Sequence, residues 1–405
     1  MRLVLILALG LTACTTEPAP APEPAVEPPP EPLVLPWSGT SATWADEMAA
    51  IDAQVASMER LAAEQPGWTH LERAAGLRLQ RARLSGDWND YTAAEAMITT
   101  AFSRATDPGG PHATRAALNY SLHRFDRVPD DLDALTGRMP RTESRRAQEA
   151  VLRGALALTQ GDYDGAESEL EAAFGLHPTN KGLSTLAVFR WQVGDFDAAE
   201  ALFIEAAGHD HGASQEPRAW THLNLGLLDL DRSRFADALA HYRDAERELS
   251  GYWLVDEHIA EALMELGRID EARALYEDVI GRTGGSPEFL DALAGLEEDA
   301  GNLERAQELR ADARTAWEDL LARFPAAAAG HAIDHFLETD AHARALEIAT
   351  LNHAARPDGP AGLALAEAQL AAGQLDAARA TLAAVVASRY DSPAVTELAE
   401  RLHTD

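Results

Sequence analysis

The stretch 216–250, "EPRAWTHLNLGLLDLDRSRFADALAHYRDAERELS", carries two helical stripes on either side of a turn. Leu223, Gly226, Leu227 and Leu230 recur every three or four residues and so share one face of a first helix. Beyond Asp231-Arg232-Ser233-Arg234 the same spacing resumes with Phe235, Leu239, Tyr242 and Glu246, of which the first three are apolar. Two short amphipathic helices joined this tightly form a hairpin, and a single hairpin cannot hide both of its stripes.

The turn of this hairpin recurs along the chain. It reads Gly161-Asp-Tyr163-Asp-Gly-Ala166, Gly194-Asp-Phe196-Asp-Ala-Ala199, Ser233-Arg-Phe235-Ala-Asp-Ala238 and Gly267-Arg-Ile269-Asp-Glu-Ala272. It continues as Gly301-Asn-Leu303-Glu-Arg-Ala306 and Gly373-Gln-Leu375-Asp-Ala-Ala378, with poorer copies starting at Gly86, His123 and Asp340. The nine starts are separated by 37, 38, 33, 39, 34, 34, 39 and 33 residues. A period this close to 34 resembles that of the tetratricopeptide repeat.

The resemblance extends to the rest of the unit, where Gly154, Gly161, Ala166, Leu170 and Pro178 match the whole scheme of that family. Asn224, Leu225, Gly226, Phe235, Ala238, Tyr242 and Ala245 match most of it. The small residues (Gly154, Ala166, Ala199, Gly226, Ala238, Ala272, Ala306, Ala378) stand where helix A and helix B of a unit cross closely. The turn glycines (Gly161, Gly194, Gly267, Gly301, Gly373) end helix A in a backbone conformation that other residues resist. The resemblance implies an all-α fold, a right-handed superhelical solenoid of about eight to nine helix-turn-helix units over residues 69–390, each touching mainly its neighbours. The best units are 147–180, 180–213, 219–252, 253–286, 287–320 and 359–392. The two longer intervals predict extra loop at 208–217 and near 318–330, and Val128-Pro129 predicts an interruption of a second helix.

Both ends of the array require covers. Trp44, Met48, Ile51, Val55, Met58 and Leu61 predict a capping helix over 41–65, and Ser392-Pro393 opens a second over 391–405. Ser286-Pro287 marks another helix start in the same way.

Ahead of the array, Leu3–Leu11 is apolar apart from Gly10 and follows Arg2. Nine residues of helix reach only about 14 Å, too short to span a bilayer, and read as a signal peptide over 1–13. Leu11-Thr12-Ala13-Cys14 resembles the bacterial lipobox, which implies that Cys14, the only cysteine, carries a thioether-linked diacylglycerol. Thr15, where an Asp would favour the inner membrane, implies a Gram-negative outer membrane, and the expected face is the periplasmic one. Residues 14–36 then form a linker: nine prolines and four glutamates between Glu17 and Pro36 bury too little to order themselves.

The formal net charge of −32 excludes nucleic acid as a partner, because phosphates require counter-ion-releasing cations. His331-Ala-Ile-Asp334-His335 spaces two histidines by four on one helix face and raises an alternative, a metal-dependent hydrolase or accessory. There is no Gly-rich phosphate loop and no Gly-x-Ser-x-Gly elbow. The favoured reading is a non-enzymatic scaffold for envelope proteins or peptides, with no cofactor and no small-molecule substrate. Carried over by register, its peptide groove includes Trp191, Trp220, Glu257, Glu261, Asp291 and Glu298. The stretch 253–310 holds fifteen acidic and five basic residues, which selects basic or amphipathic peptides.

Overall fold

The computed structural model describes residues 35, 41–106, 109–136, 142–209 and 214–404. The signal peptide, Cys14 and all of the 14–36 linker except Leu35 lie outside the described residues, as does 210–213 of the loop expected at 208–217.

The fold is an all-α solenoid. Helix α1 (Trp44–Glu64) precedes nine hairpins: α2 (Thr69–Ser85) with α3 (Asn89–Arg104), α4 (His112–Ser121) with α5 (Val128–Thr136), and α6 (Glu143–Thr159) with α7 (Tyr163–Leu176). Next come α8 (Asn180–Gln192) with α9 (Phe196–Gly208), α10 (Glu216–Asp231) with α11 (Phe235–Glu248), and α12 (Trp253–Glu265) with α13 (Ile269–Thr283). The last three are α14 (Pro287–Asp299) with α15 (Leu303–Arg323), α16 (Pro325–Glu338) with α17 (His342–Ala355), and α18 (Gly359–Ala371) with α19 (Leu375–Ala387). Helix α20 (Pro393–Thr404) ends the stack. Its Val395, Leu398 and Leu402 pack against Leu363, Leu382 and Val385.

All nine repeat starts, including the three poor copies, hold left-handed backbone between the two helices of their hairpins. Gly86, Gly161, Gly194, Gly267, Gly301 and Gly373 have φ of 70–81°, and His123, Ser233 and Asp340 have 53, 57 and 54°. Among the described residues those three are the only non-glycines with positive φ, each at a cost of about 1–2 kcal/mol. In two hairpins the following helix is capped by the next side chain. Asp162 accepts from the Gly165 amide at 3.0 Å and Asp195 from that of Ala198 at 3.3 Å. At the crossings there is no spare room. A Cβ on Gly226 would lie 2.2 Å from Tyr242 Cε1, one on Gly154 would lie 2.6 Å from Leu170 Cγ, and the six crossing alanines after them are fully buried.

Two expectations are corrected. No loop occupies 318–330: Leu309, Ala313, Trp317, Leu320 and Leu321 continue the buried stripe, so α15 runs on to Arg323, and Pro325 opens α16 at a first-turn position. The units touch mainly their neighbours, but contacts between distant units join them as well. His123 Nδ1 lies 3.2 Å from the Ala326 carbonyl, 203 residues on, and the Gly359 amide donates to Tyr163 Oη at 2.9 Å across 196 residues. The short strands β1 (Ala42–Thr43) and β2 (Leu249–Ser250) pair in parallel, and the Asp391 amide donates to the Gln192 carbonyl. Each contact joins one element to another five or six hairpins later. The superhelix is wound so tightly that its second turn rests on its first. One apolar core runs through both, joining Ile51, Leu84 and Leu118 to Ile259, Phe289 and Trp317. Val128-Pro129 does not break a helix: a 3₁₀ turn at Phe125–Arg127 leads into α5, with Pro129 in its first turn.

Candidate functional site

Where the two turns meet they enclose a cavity of about 580 Å³. The first turn supplies Arg83 from α2, Trp88 from the turn that follows it and Tyr91 from α3. The second supplies Trp253 and Glu257 from α12, Glu288, Phe289, Asp291 and Glu298 from α14, Arg310 and Trp317 from α15, and His331, Asp334, His335 and Glu338 from α16. The two walls are pinned at Leu84, whose carbonyl accepts from both Trp253 Nε1 (2.8 Å) and Trp44 Nε1 (2.7 Å). Gly86 lies under the Trp253 ring, where a Cβ would approach to 3.2 Å.

Asp291 organises the floor. Its Oδ1 faces His335 Nδ1 at 2.8 Å and accepts from Arg310 Nη1 at 3.0 Å, while its Oδ2 accepts from Trp317 Nε1 at 2.9 Å. Arg310 also reaches Glu338 at 2.7 Å. Although burial opposes its charge, the Glu338 and Asp291 carboxylates hold this guanidinium above its ordinary range. At one side Glu257 is only 4% exposed. Its carboxylate lies 3.2 Å from His258 Nδ1, which Glu261 approaches to 2.9 Å from the other flank. Burial pushes the Glu257 carboxyl up, and against the same burial its two acidic neighbours raise the imidazole of His258. Glu288, hydrogen-bonded by Ser286 Oγ, is likewise raised by its enclosure.

Of the six groove residues expected from register, Glu257, Asp291 and Glu298 are brought together on this cavity. Glu261 is buried behind it and does not line it. Trp191 lines an adjoining cavity of about 440 Å³ that shares His331 and Asp334 with the first, and its Nε1 donates to Asp231 at 2.9 Å. Trp220 belongs to the wall, edge-on to Phe203 at 6.1 Å. Leu35 is buried in the same apolar cluster, with Phe203, Leu225 and Trp191. His331, Asp334 and His335 do share one wall, but their ligand atoms do not converge. Among the described residues, groups of three such atoms within 4.8 Å occur at Glu257, His258 and Glu261 and at His222, His241 and Asp244.

Sequence reasoning missed Trp88, Tyr91, Trp253, Phe289 and Trp317. Trp88 holds the apolar position two residues after its repeat start, as Tyr163 does after Gly161, and that was the signal available. No motif position marks the other four, because what gathers them is the contact between turns.

Tetratricopeptide-repeat family models match residues 157–221, 229–296 and 359–384. The chain carries tetratricopeptide repeats over these residues. Comparison with curated proteins finds no match. Among solved structures, tetratricopeptide-like folds include a chain of the Cut9–Hcn1 hetero-tetramer of APC/C, 14% identical with a TM-score of 0.45, aligned over 82% of this chain and 62% of that one. This chain therefore spans less than two thirds of that relative's length. PilW, a type IV pilus biogenesis factor, is 16% identical with a TM-score of 0.42, over 55% of this chain and 96% of that one. PilF of Pseudomonas aeruginosa is 16% identical with a TM-score of 0.37, over 56% and 98%. Arrays of such repeats present extended surfaces on which other proteins can dock. Among the described residues no helix is long and apolar enough to cross a membrane.

Proposed function

We propose that this repeat protein is a non-enzymatic assembly factor, held by lipid on Cys14 at the periplasmic face of an outer membrane, that binds a basic or amphipathic segment of an envelope complex. The observation that carries this reading is the convergence of helix A carboxylates from three successive hairpins, Glu257, Asp291 and Asp334, on one cavity between turns. A negative field focused in a low-dielectric cleft selects cationic partners and speeds their arrival. The lipobox-like Leu11–Cys14 supports the anchor, and the proline-rich linker supports a reach into the periplasm.

The test is made in cells. Mature protein carrying a photo-crosslinker at Glu298, an exposed residue on the cavity rim, is irradiated in intact envelopes. It should capture a defined partner with a basic segment, and capture should weaken as salt shortens the Debye length below about 8 Å. Cys14→Ser should release the protein from membranes or leave it unprocessed. A wild-type protein that is soluble and unmodified would end the anchor reading, and capture unaffected by salt would end the electrostatic one.

A further inference from the structure

The cavity between the turns contains acceptors and aromatic faces in excess of donors. Seven of its lining side chains are carboxylic and two are arginines, and both arginines are engaged: Arg83 with Glu216 at 3.1 Å, Arg310 with Asp291 and Glu338. His335 adds an acceptor. Its side chain is fully buried, and the Asp291 carboxylate at Nδ1 fixes the ring proton there. That leaves a lone pair on Nε2, which has no hydrogen-bond partner. An unsatisfied buried acceptor is costly unless a donor arrives.

The aromatic residues favour a particular donor. Trp253 and Phe289 stand with ring centroids 5.6 Å apart, and Trp88 and Tyr91 with centroids 5.8 Å apart, all lining the same space. Tryptophan and tyrosine faces attract cations, most strongly where water is excluded. A bare divalent metal fits poorly. Among the described residues the one convergent trio touching the cavity is Glu257 with His258 and Glu261, and its imidazole nitrogen is already flanked by both carboxylates. The remaining carboxylates are spread along the walls, which suits a cation with several donors on an aliphatic stem. The volume, about 580 Å³, is that of a small-molecule site.

We infer that the cavity is a binding site for an organic cation, a guanidinium or ammonium group whose donors meet Glu257, Glu288 and His335 and whose charge lies among Trp88, Trp253 and Phe289. This deepens the scaffold reading and rests on it only for the ligand's source. The group belongs either to an arginine or lysine side chain of a partner or to a free amine.

Isothermal titration of the mature protein in detergent tests the site with two probes, agmatine and a blocked Gly-Arg-Gly tripeptide, each against a neutral ureido isostere. Saturable one-to-one binding of either cationic probe at millimolar concentration or below, with the ureido form failing, is expected. Binding of the tripeptide alone identifies a partner side chain as the source, and binding of agmatine alone a free amine. Glu288→Gln and Glu257→Gln keep the shape and remove the carboxyl that a bound cation would hold ionised, and each should weaken binding by about tenfold or more. Trp88→Leu gives a second measure should either Gln variant unfold, and circular dichroism establishes which variants fold. No saturable binding of either cation, equal binding of the ureido form, or affinity unmoved in folded variants would overturn the site. Capture by crosslinking that persists in that case would leave the scaffold reading standing.

Discussion

Replacing Gly226 by alanine should destabilise the protein, whereas the same replacement at Gly76 should stabilise it. Both glycines lie inside helices, where alanine is favoured by about 0.8–1 kcal/mol. At Gly76 a Cβ would meet nothing within 4 Å, so the propensity gain should appear almost whole. At Gly226 the Cβ would sit 2.2, 2.5 and 2.9 Å from Cε1, Cδ1 and Cζ of Tyr242, where carbon atoms normally keep about 3.5–4.0 Å. The tyrosine cannot retreat, because it is fully buried and its ring is stacked on His258 at 5.5 Å. Helices α10 and α11 must therefore part, and overpacking of this kind costs about 1–3 kcal/mol or more. Net of propensity, Gly226→Ala should lose up to about 2 kcal/mol. Urea transitions of the two variants, read by circular dichroism, should shift in opposite directions. Adding Tyr242→Leu to Gly226→Ala should cost less than the two single losses together, since the clash is removed once. Shifts of the same sign for Gly226→Ala and Gly76→Ala would refute the close-crossing account.

The contact between turns is tested by Tyr163→Phe, which strands the buried Gly359 amide and should cost about 1–3 kcal/mol, with faster hydrogen exchange at the start of α18. An unchanged midpoint and unchanged exchange would show that the turns are not coupled there. Acid should probe His222, which is 2% exposed and which burial, then the neighbouring His241, lowers to about 4. Its folded value lies below the unfolded value of about 6.5, so the unfolded chain takes the proton first. Stability from this group is complete above pH 6.5 and is lost as pH falls towards 4, by an amount on the order of 3 kcal/mol. His222→Gln should remove that part of the acid loss, and parallel pH profiles for the two proteins would contradict it.

The local unit was legible because two requirements write themselves into sequence: a residue that tolerates left-handed backbone, and a small residue where helices cross. Even His123, Ser233 and Asp340 could be placed, since the spacing fixed the turn where the residue type did not. What joins residues about 200 apart leaves no such mark. The groove expected by register requires each helix A to keep one face open. That fails at α12, where the nine residues from Val255 to Leu263 are all buried because the first turn of the superhelix covers them. Hence Glu261, an acidic residue of a kind that usually faces water, lies 2% exposed against His258. Reversing Glu257, Glu261 and Asp291 to lysine is for that reason a test of folding. The exposed acids that can be changed without it, Glu298 and Asp299, lie on the cavity rim.

Winding turn upon turn also alters what kind of object the array is. In an open solenoid each unit meets only its neighbours, stability is a sum of local terms, and removing one unit shortens the stack. Here removal of 161–193 would take away Tyr163 from Gly359, Asp164 and Glu167 from Arg389, and Gln192 from Asp391. It would also shift every later hairpin by one unit, so that Gly86 no longer meets Trp253. The protein should therefore unfold more as one body than as a row of units. The cavity exists only because α2 and α3 of the first turn face α12, α14 and α16 of the second, so whatever binds in it must hold the two turns together. Ligand and winding are thus coupled, since a cation seated between Trp88 and Trp253 stabilises the closed superhelix by as much as the closed superhelix favours the cation.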